Sequence, residues 1–247
     1  MIISHSKKFI FIHGRKTAGS SIGISLMRYL GSGDVVRGYI TGGVKHGIYP
    51  PDWTKSIMSI RPKDFLKENF RVQAYRRYVK QVHDVSSTHL GALEIKKMVG
   101  KDIWNQYYKF TFERNPFDRI VSFYYWRTKD HINPPGFKKF IHQIKEGNNE
   151  WLTANKLDGF LNYPLYTIDN KVAVNKIGRF ENLHNDLEII CNKIDIEFDG
   201  WLPKNKSGVR KKISLNELYN KKLIEDVSEI FSEEISSGNY NFDTFTH

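Results

Sequence analysis

The chain has 247 residues, 40% hydrophobic and 14% aromatic, and a formal net charge of +11. Length and apolar content exclude a disordered chain and suit one domain over residues 1–247 with a core of its own. The charge points to anionic partners such as nucleotides, acidic glycans, nucleic acid or a membrane surface, without choosing among them.

Taken in order, "MIISHSKK" leads directly into a continuous apolar run, Phe9 to Ile12, as in a strand buried on both faces of a parallel sheet. From Ser20 to Leu30 the pattern is helical, with Ile22, Leu26, Met27 and Leu30 near one face and Gly31 and Gly33 as the stop. Residues 34–62 are rich in glycine and proline and read as loop with at most a short strand. A basic, aromatic helix is expected over 64–82. A second follows from Ser86 to Val99, with Leu90, Leu93 and Met98 apolar and Gly100 ending it. Tyr107 to Phe112 reads as strand. Asn115 suits an N-cap and Pro116 the first helical position, ahead of Phe117, Ile120, Val121 and Tyr124 at helical spacing.

Phe137, Phe140, Ile141 and Ile144 mark a further amphipathic helix. Val172 to Phe180 is expected as strand and Asn182 to Lys193 as helix, with Cys191 in its core face. Residues 204–212, "KNKSGVRKK", form a basic loop. Ser214 with Glu217 has capping-box spacing and opens a helical pattern toward Ser236. Strands alternating with helices predict an α/β fold with a central parallel sheet flanked by helices. Cys191 is the single cysteine, which excludes an internal disulfide and suits a reducing compartment. With no leader pattern and no run near the ~20 apolar residues of a membrane span, the expectation is a soluble cytoplasmic protein, with peripheral membrane contact left open.

Two segments carry chemistry. In "FIHGRKTAGSSI" a strand enters a turn and then a helix. Gly14 permits a sharp exit from the strand, and Gly19 permits close backbone approach to a ligand. Arg15 and Lys16 supply charge, Thr17, Ser20 and Ser21 supply hydroxyls, and the helix start supplies free N–H groups with a positive dipole end. The result is an anion site at the ligand edge of an α/β sheet. The nucleotide-hydrolase form G-x-x-x-x-G-K-[ST] is absent, because Lys16 and Thr17 precede Gly19. In the second segment, "FTFERNPFDRIVSFYYW", Arg114 lies between a strand end and a helix cap, where its fork can reach the same edge. Ser122 follows about two helical turns later, within ~10 Å along the axis. Asp118 and Arg119 suit local cap and salt-bridge contacts.

The first segment resembles the "F-I-H-x-x-K-T-A-G-T-S" signature of sulfotransferases that use 3′-phosphoadenylyl sulfate (PAPS), closest to the carbohydrate sulfotransferase branch. This sequence departs at Gly14–Arg15, where that branch often has Ile-Pro. The second segment resembles the family's "F-x-F-V-R-N-P-x-D-R-x-x-S-x-Y". "IGRFENL" and "LPKNKSGVR" resemble two later family segments. The resemblance implies a P-loop-like fold in which Arg15, Lys16, Thr17, Ala18, Gly19, Ser20 and Ser21 grip the 5′-phosphosulfate. Arg114 and Ser122 would then hold the 3′-phosphate, and Ser207 and Arg210 would close on the nucleotide. PAPS would be the co-substrate and its desulfated form, PAP, the product, with no metal required.

Sulfuryl transfer needs in-line geometry, stabilisation of the leaving phosphate and a base for an acceptor hydroxyl. Lys16 is the candidate for the leaving group. Of His13, His83 and His89, His89 is the chosen base, because carbohydrate-type relatives carry a base histidine, or in some a glutamate, in this stretch; His13, at a strand end, suits packing or loop orientation, and His83 and Glu94 stand in reserve. The acceptor is expected to be a hydroxyl of a glycan or glycoconjugate, with no nucleic-acid partner. The competing readings are a P-loop kinase or nucleotide hydrolase, and a non-catalytic module for anionic glycans or nucleic acid.

Overall fold

The computed structural model describes residues 1–38, 40–51, 89–204 and 214–243. In chain order its first half holds β1 (Ile2–Ser4), β2 (Phe9–Phe11), α1 (Gly19–Leu26), β3 (Val35–Val36), α2 (Ile40–Lys45), α3 (Ala92–Gln106), β4 (Tyr108–Glu113) and α4 (Pro116–Thr128). Then come α5 (Phe137–Lys145), α6 (Asn149–Ala154), α7 (Tyr163–Tyr166), β5 (Thr167–Ile168), β6 (Lys171–Val172), β7 (Lys176–Arg179) and α8 (Leu183–Lys193). Helices α9 (Leu215–Leu218), α10 (Lys221–Ile230) and α11 (Ser232–Gly238) end the described chain.

The main sheet has the order β3-β1-β2-β4-β7. Strands β2, β4 and β7 are parallel, with Phe11 opposite Phe110 and Phe112 opposite Gly178. Strands β1 and β3 extend the sheet antiparallel to this core. The expected α/β fold therefore holds, with a mixed rather than purely parallel sheet. Alternation along β2 explains its unbroken apolar run. Phe9 and Phe11 pack with Phe110, Phe112 and α1 and α8 residues, while Ile10 and Ile12 pack with Ile95 and Trp104 of α3. Cys191 is buried in the first of these clusters, and burial pushes its thiol up to about 12.

Several boundaries differ from expectation for local reasons. Strand β1 was not foreseen; Asp34 fixes its turn into β2, accepting from the Ser4 and Ser6 hydroxyls and the backbone N–H of His5 and Ser6. The first helical piece of α3 breaks at Gly100, as expected, where the backbone is non-helical at φ 83°; a second piece continues to Gln106, beyond which Lys109 Nζ donates to Trp104 O and Tyr107 O. The buried apolar residues of α3 are Ala92, Ile95 and Trp104, whereas Leu93 and Met98 are 45% and 41% exposed. The single strand expected over 172–180 divides into β6 and β7, with Asn175 between them bonded to Lys109 N and O. The pattern after Ser214 divides into three helices, restarted where Asn220 caps α10. The helix expected over 64–82, Ser86, and most of the basic loop 204–212 lie outside the described residues.

Candidate functional site

Strands β2, β4 and β7 run parallel, so their C-terminal ends share one edge. His13 to Gly19 leave β2 there, Arg114 and Asn115 leave β4, and Phe180 leaves β7. The loop after β2 is built by close approach. A Cβ on Gly14 would lie 2.9 Å from Phe112 O and 3.3 Å from Asn162 Nδ2. A Cβ on Gly19 would lie 2.0 Å from His13 Cδ2, so that glycine makes room for the imidazole. Lys16 has φ 62° and Ala18 φ 60°, while Thr17 between them does not adopt positive φ. Such alternation of backbone hand turns successive N–H groups toward one concave side, the geometry of an anion nest. Thr17 Oγ1 donates to Gly14 O and is buried, which closes the turn. Ala18 is the N-cap of α1, Ser21 is buried on its first turn, and Ser20 is half-buried.

Arg114 meets this loop. Its Nη1 donates to Lys16 O at 3.3 Å. Its Nε donates to Asp118 Oδ2 at 2.7 Å, and Nη2 pairs with the same oxygen. The ring of Phe180 lies 4.1 Å below the guanidinium carbon. A guanidinium has five N–H donors. Those three contacts leave one N–H on each Nη for a ligand. Asn115 caps α4 as the sequence predicts, accepting from Phe117 N, and its own N–H is held by Glu181 of the "RFEN" segment.

Asp118, Ser122 and Trp126 recur every four residues and so share one stripe of α4. The loop lies along that stripe, with Lys16 O against Arg114 at one end and Lys16 Nζ 5.3 Å from the centre of the Trp126 ring at the other. Ser122, half-buried, sits between them. Arg15 differs from the expectation of a ligand-facing cation: its Nη1 donates to Leu161 O at 3.0 Å. Burial, then repulsion from Arg119 and Arg127, lowers its pKa.

His89 reaches the same edge. Its Nδ1 lies 2.9 Å from His13 O, and a carbonyl can only accept, so Nδ1 carries the proton. In neutral imidazole that leaves the lone pair on Nε2. The His89 and His13 rings are 4.6 Å apart. Glu94 is engaged elsewhere, its Oε2 accepting from Gly91 N in the cap of α3. His83, Ser207 and Arg210 lie outside the described residues.

Beneath the loop is a buried polar group that the sequence reading missed. Asn162 Oδ1 accepts from Arg15 N at 2.8 Å, and its Nδ2 donates to Arg15 O at 3.1 Å and Glu113 Oε1 at 3.2 Å. Glu113 Oε1 also accepts from Arg114 N and lies 3.1 Å from Arg119 Nε. Burial is the main cause that pushes the Glu113 carboxyl up to about 7, against the pull of Arg119. The sequence signal was a charged residue, Glu113, at the end of β4, one position before Arg114.

A strand, a nest-shaped loop and a helix, faced by an arginine from the next parallel strand, define an α/β protein with a P-loop-like strand–loop–helix turn. The sequence comparisons give that class a family. The model of the sulfotransferase family matches residues 1–241. The chain belongs to that family and is a sulfotransferase. An uncharacterized protein of Archaeoglobus fulgidus is 32% identical over 105 residues, which cover 41% of this chain and 79% of that protein. The crystal structure of a sulfotransferase from Alicyclobacillus acidocaldarius aligns over 96% of this chain and 98% of its own, with 14% identity and a TM-score of 0.44. Among the described residues, no helix is long and apolar enough to cross a membrane.

Proposed function

We propose that the protein transfers a sulfuryl group from PAPS to an acceptor hydroxyl, of a glycan or glycoconjugate, within a single cytoplasmic domain. The observation that carries this reading is the contact of Arg114 Nη1 with Lys16 O, which brings two junctions nearly a hundred residues apart to one edge. A donor with phosphate groups at both ends of one adenosine needs such a pair. The loop at residues 15–21 takes the 5′-phosphosulfate on its backbone N–H groups from Lys16 onward and on the hydroxyls of Ser20 and Ser21. Arg114, with its two remaining N–H groups, and Ser122 take the 3′-phosphate.

In the transfer step the acceptor oxygen forms a bond to sulfur while the bond from sulfur to the bridging phosphate oxygen breaks. The acceptor proton passes to Nε2 of His89, whose tautomer is set by His13 O. Charge developing on the leaving phosphate is stabilised by Lys16 and the loop N–H groups, so PAP departs as an anion already solvated by the protein. Ser207 and Arg210 complete the donor site in this proposal.

The test is calorimetric titration with PAP in the absence of divalent metal, on wild type and Arg114→Ala. The account expects binding by wild type and about tenfold or greater weakening in the variant. Binding of ATP with magnesium but not PAP contradicts it.

A further inference from the structure

Asn162, Glu113, Arg119 and Glu234 are all at most 2% exposed, and they close a ring under the two junctions. Asn162 grips Arg15 by both backbone groups. Its own N–H and that of Tyr163 donate to Glu234 Oε1 at 3.2 Å each. Arg119 lies between the carboxylates, 3.4 Å from Glu234 Oε1 and 3.1 Å from Glu113 Oε1. Glu113 Oε1 then accepts from both Asn162 Nδ2 and Arg114 N. One carboxylate oxygen is therefore two hydrogen bonds from Arg15 in the first junction and one from Arg114 in the second.

The amide of Asn162 is the chemistry this position demands. Arg15 N–H needs an acceptor, and Arg15 C=O and Glu113 need donors, all from one short side chain. An aspartate offers acceptors alone. Glycine at 14 leaves the gap through which the amide reaches, since a Cβ there would lie 3.3 Å from Nδ2. Lys16, immediately after the gripped residue, holds a left-handed conformation, which a non-glycine residue keeps only when its surroundings fix it.

We infer that Asn162 is a positioning residue that, through Glu113, sets the distance between the two ends of the donor site. The inference rests on the proposed PAPS reading. A ligand that bridges two anion sites gains from both only when their spacing is held in advance; otherwise ordering them offsets the gain. Asn162 thus governs the advantage of a bisphosphate over a monophosphate.

The experiment compares PAP with 5′-AMP, which lacks the 3′-phosphate, by titration of wild type, Asn162→Asp and Asn162→Ala, with melting curves as the control for folding. Asn162→Asp keeps the shape and reverses the donor. Asn162→Ala leaves space for water and serves if the aspartate variant does not fold. The ratio of the two dissociation constants is expected to shrink by about tenfold in a folded variant. A residue that merely supports the loop would weaken both ligands equally, and an unchanged ratio overturns the inference while leaving the donor reading intact. Wild type that prefers PAP no more than 5′-AMP overturns the donor reading, and the inference with it.

Discussion

Replacing Gly19 with alanine isolates one structural cause. At the start of a helix, alanine is ordinarily favoured over glycine by roughly 0.5–1 kcal/mol. Here the added Cβ would sit 2.0 Å from His13 Cδ2 and 2.5 Å from His13 Nε2. The imidazole must retreat by more than an ångström to restore van der Waals contact. It is packed between Gly19, the Phe11 ring and the His89 ring, and His13 O holds His89. Forcing a methyl into such a site costs about 1–3 kcal/mol. The predicted net effect is a loss of about 1–2 kcal/mol in stability, read by urea denaturation. The proposed catalytic geometry moves with the ring, so kcat for sulfuryl transfer is expected to fall further than the stability change alone explains. A Gly19→Ala variant that is more stable than wild type and fully active would refute the packing of His13 against the loop and its coupling to His89.

His89→Ala is expected to lower sulfuryl transfer by ~10²-fold or more while PAP binding persists; turnover close to wild type would remove it as the base. Arg119→Ala leaves the Glu113 and Glu234 carboxylates facing each other in the interior, and a destabilisation of about 3–5 kcal/mol is expected in denaturant titration. Glu113 also predicts a pH dependence. Its carboxyl is raised from an ordinary 4.5 to about 7, so between those values the folded chain retains a proton that the unfolded chain releases. This group therefore makes stability fall as pH rises from about 4.5 to 7, by at most about 3 kcal/mol. Glu113→Gln should remove that slope, seen as a flatter profile of unfolding free energy between pH 5 and 8; an unaltered profile would place the titration elsewhere.

Much of the site was legible because its parts are local. A strand beginning at Phe9, a helix opening at Gly19 and the Asn115–Pro116 cap each depend on residues within a few positions, and the structure shows those elements where the pattern places them. The continuous apolar run on β2 likewise implied a strand buried on both faces. What escaped was long-range. Asn162 lies 147 residues from Arg15, and no periodicity links a lone asparagine before a Tyr-Pro pair to a loop at the start of the chain. Arg15 read as a ligand-facing cation from its neighbours, yet Leu161 O takes its side chain. Leu93 and Met98 show the same limit: their apolar character suggested a core face, yet both are exposed, and Ala92, Ile95 and, beyond the break at Gly100, Trp104 are buried instead.

The central claim is that the ends of β2 and β4 hold opposite phosphates of one nucleotide. A crystal structure with PAP bound tests it most directly. The account predicts the 5′-phosphate on the backbone of residues 16–21, the 3′-phosphate against Arg114 and Ser122, and Nε2 of His89 facing the position of the missing sulfur. PAP bound instead at the opposite end of the sheet, in the open cavity of about 480 Å³ lined by Lys7, Lys8 and Lys193, would contradict it.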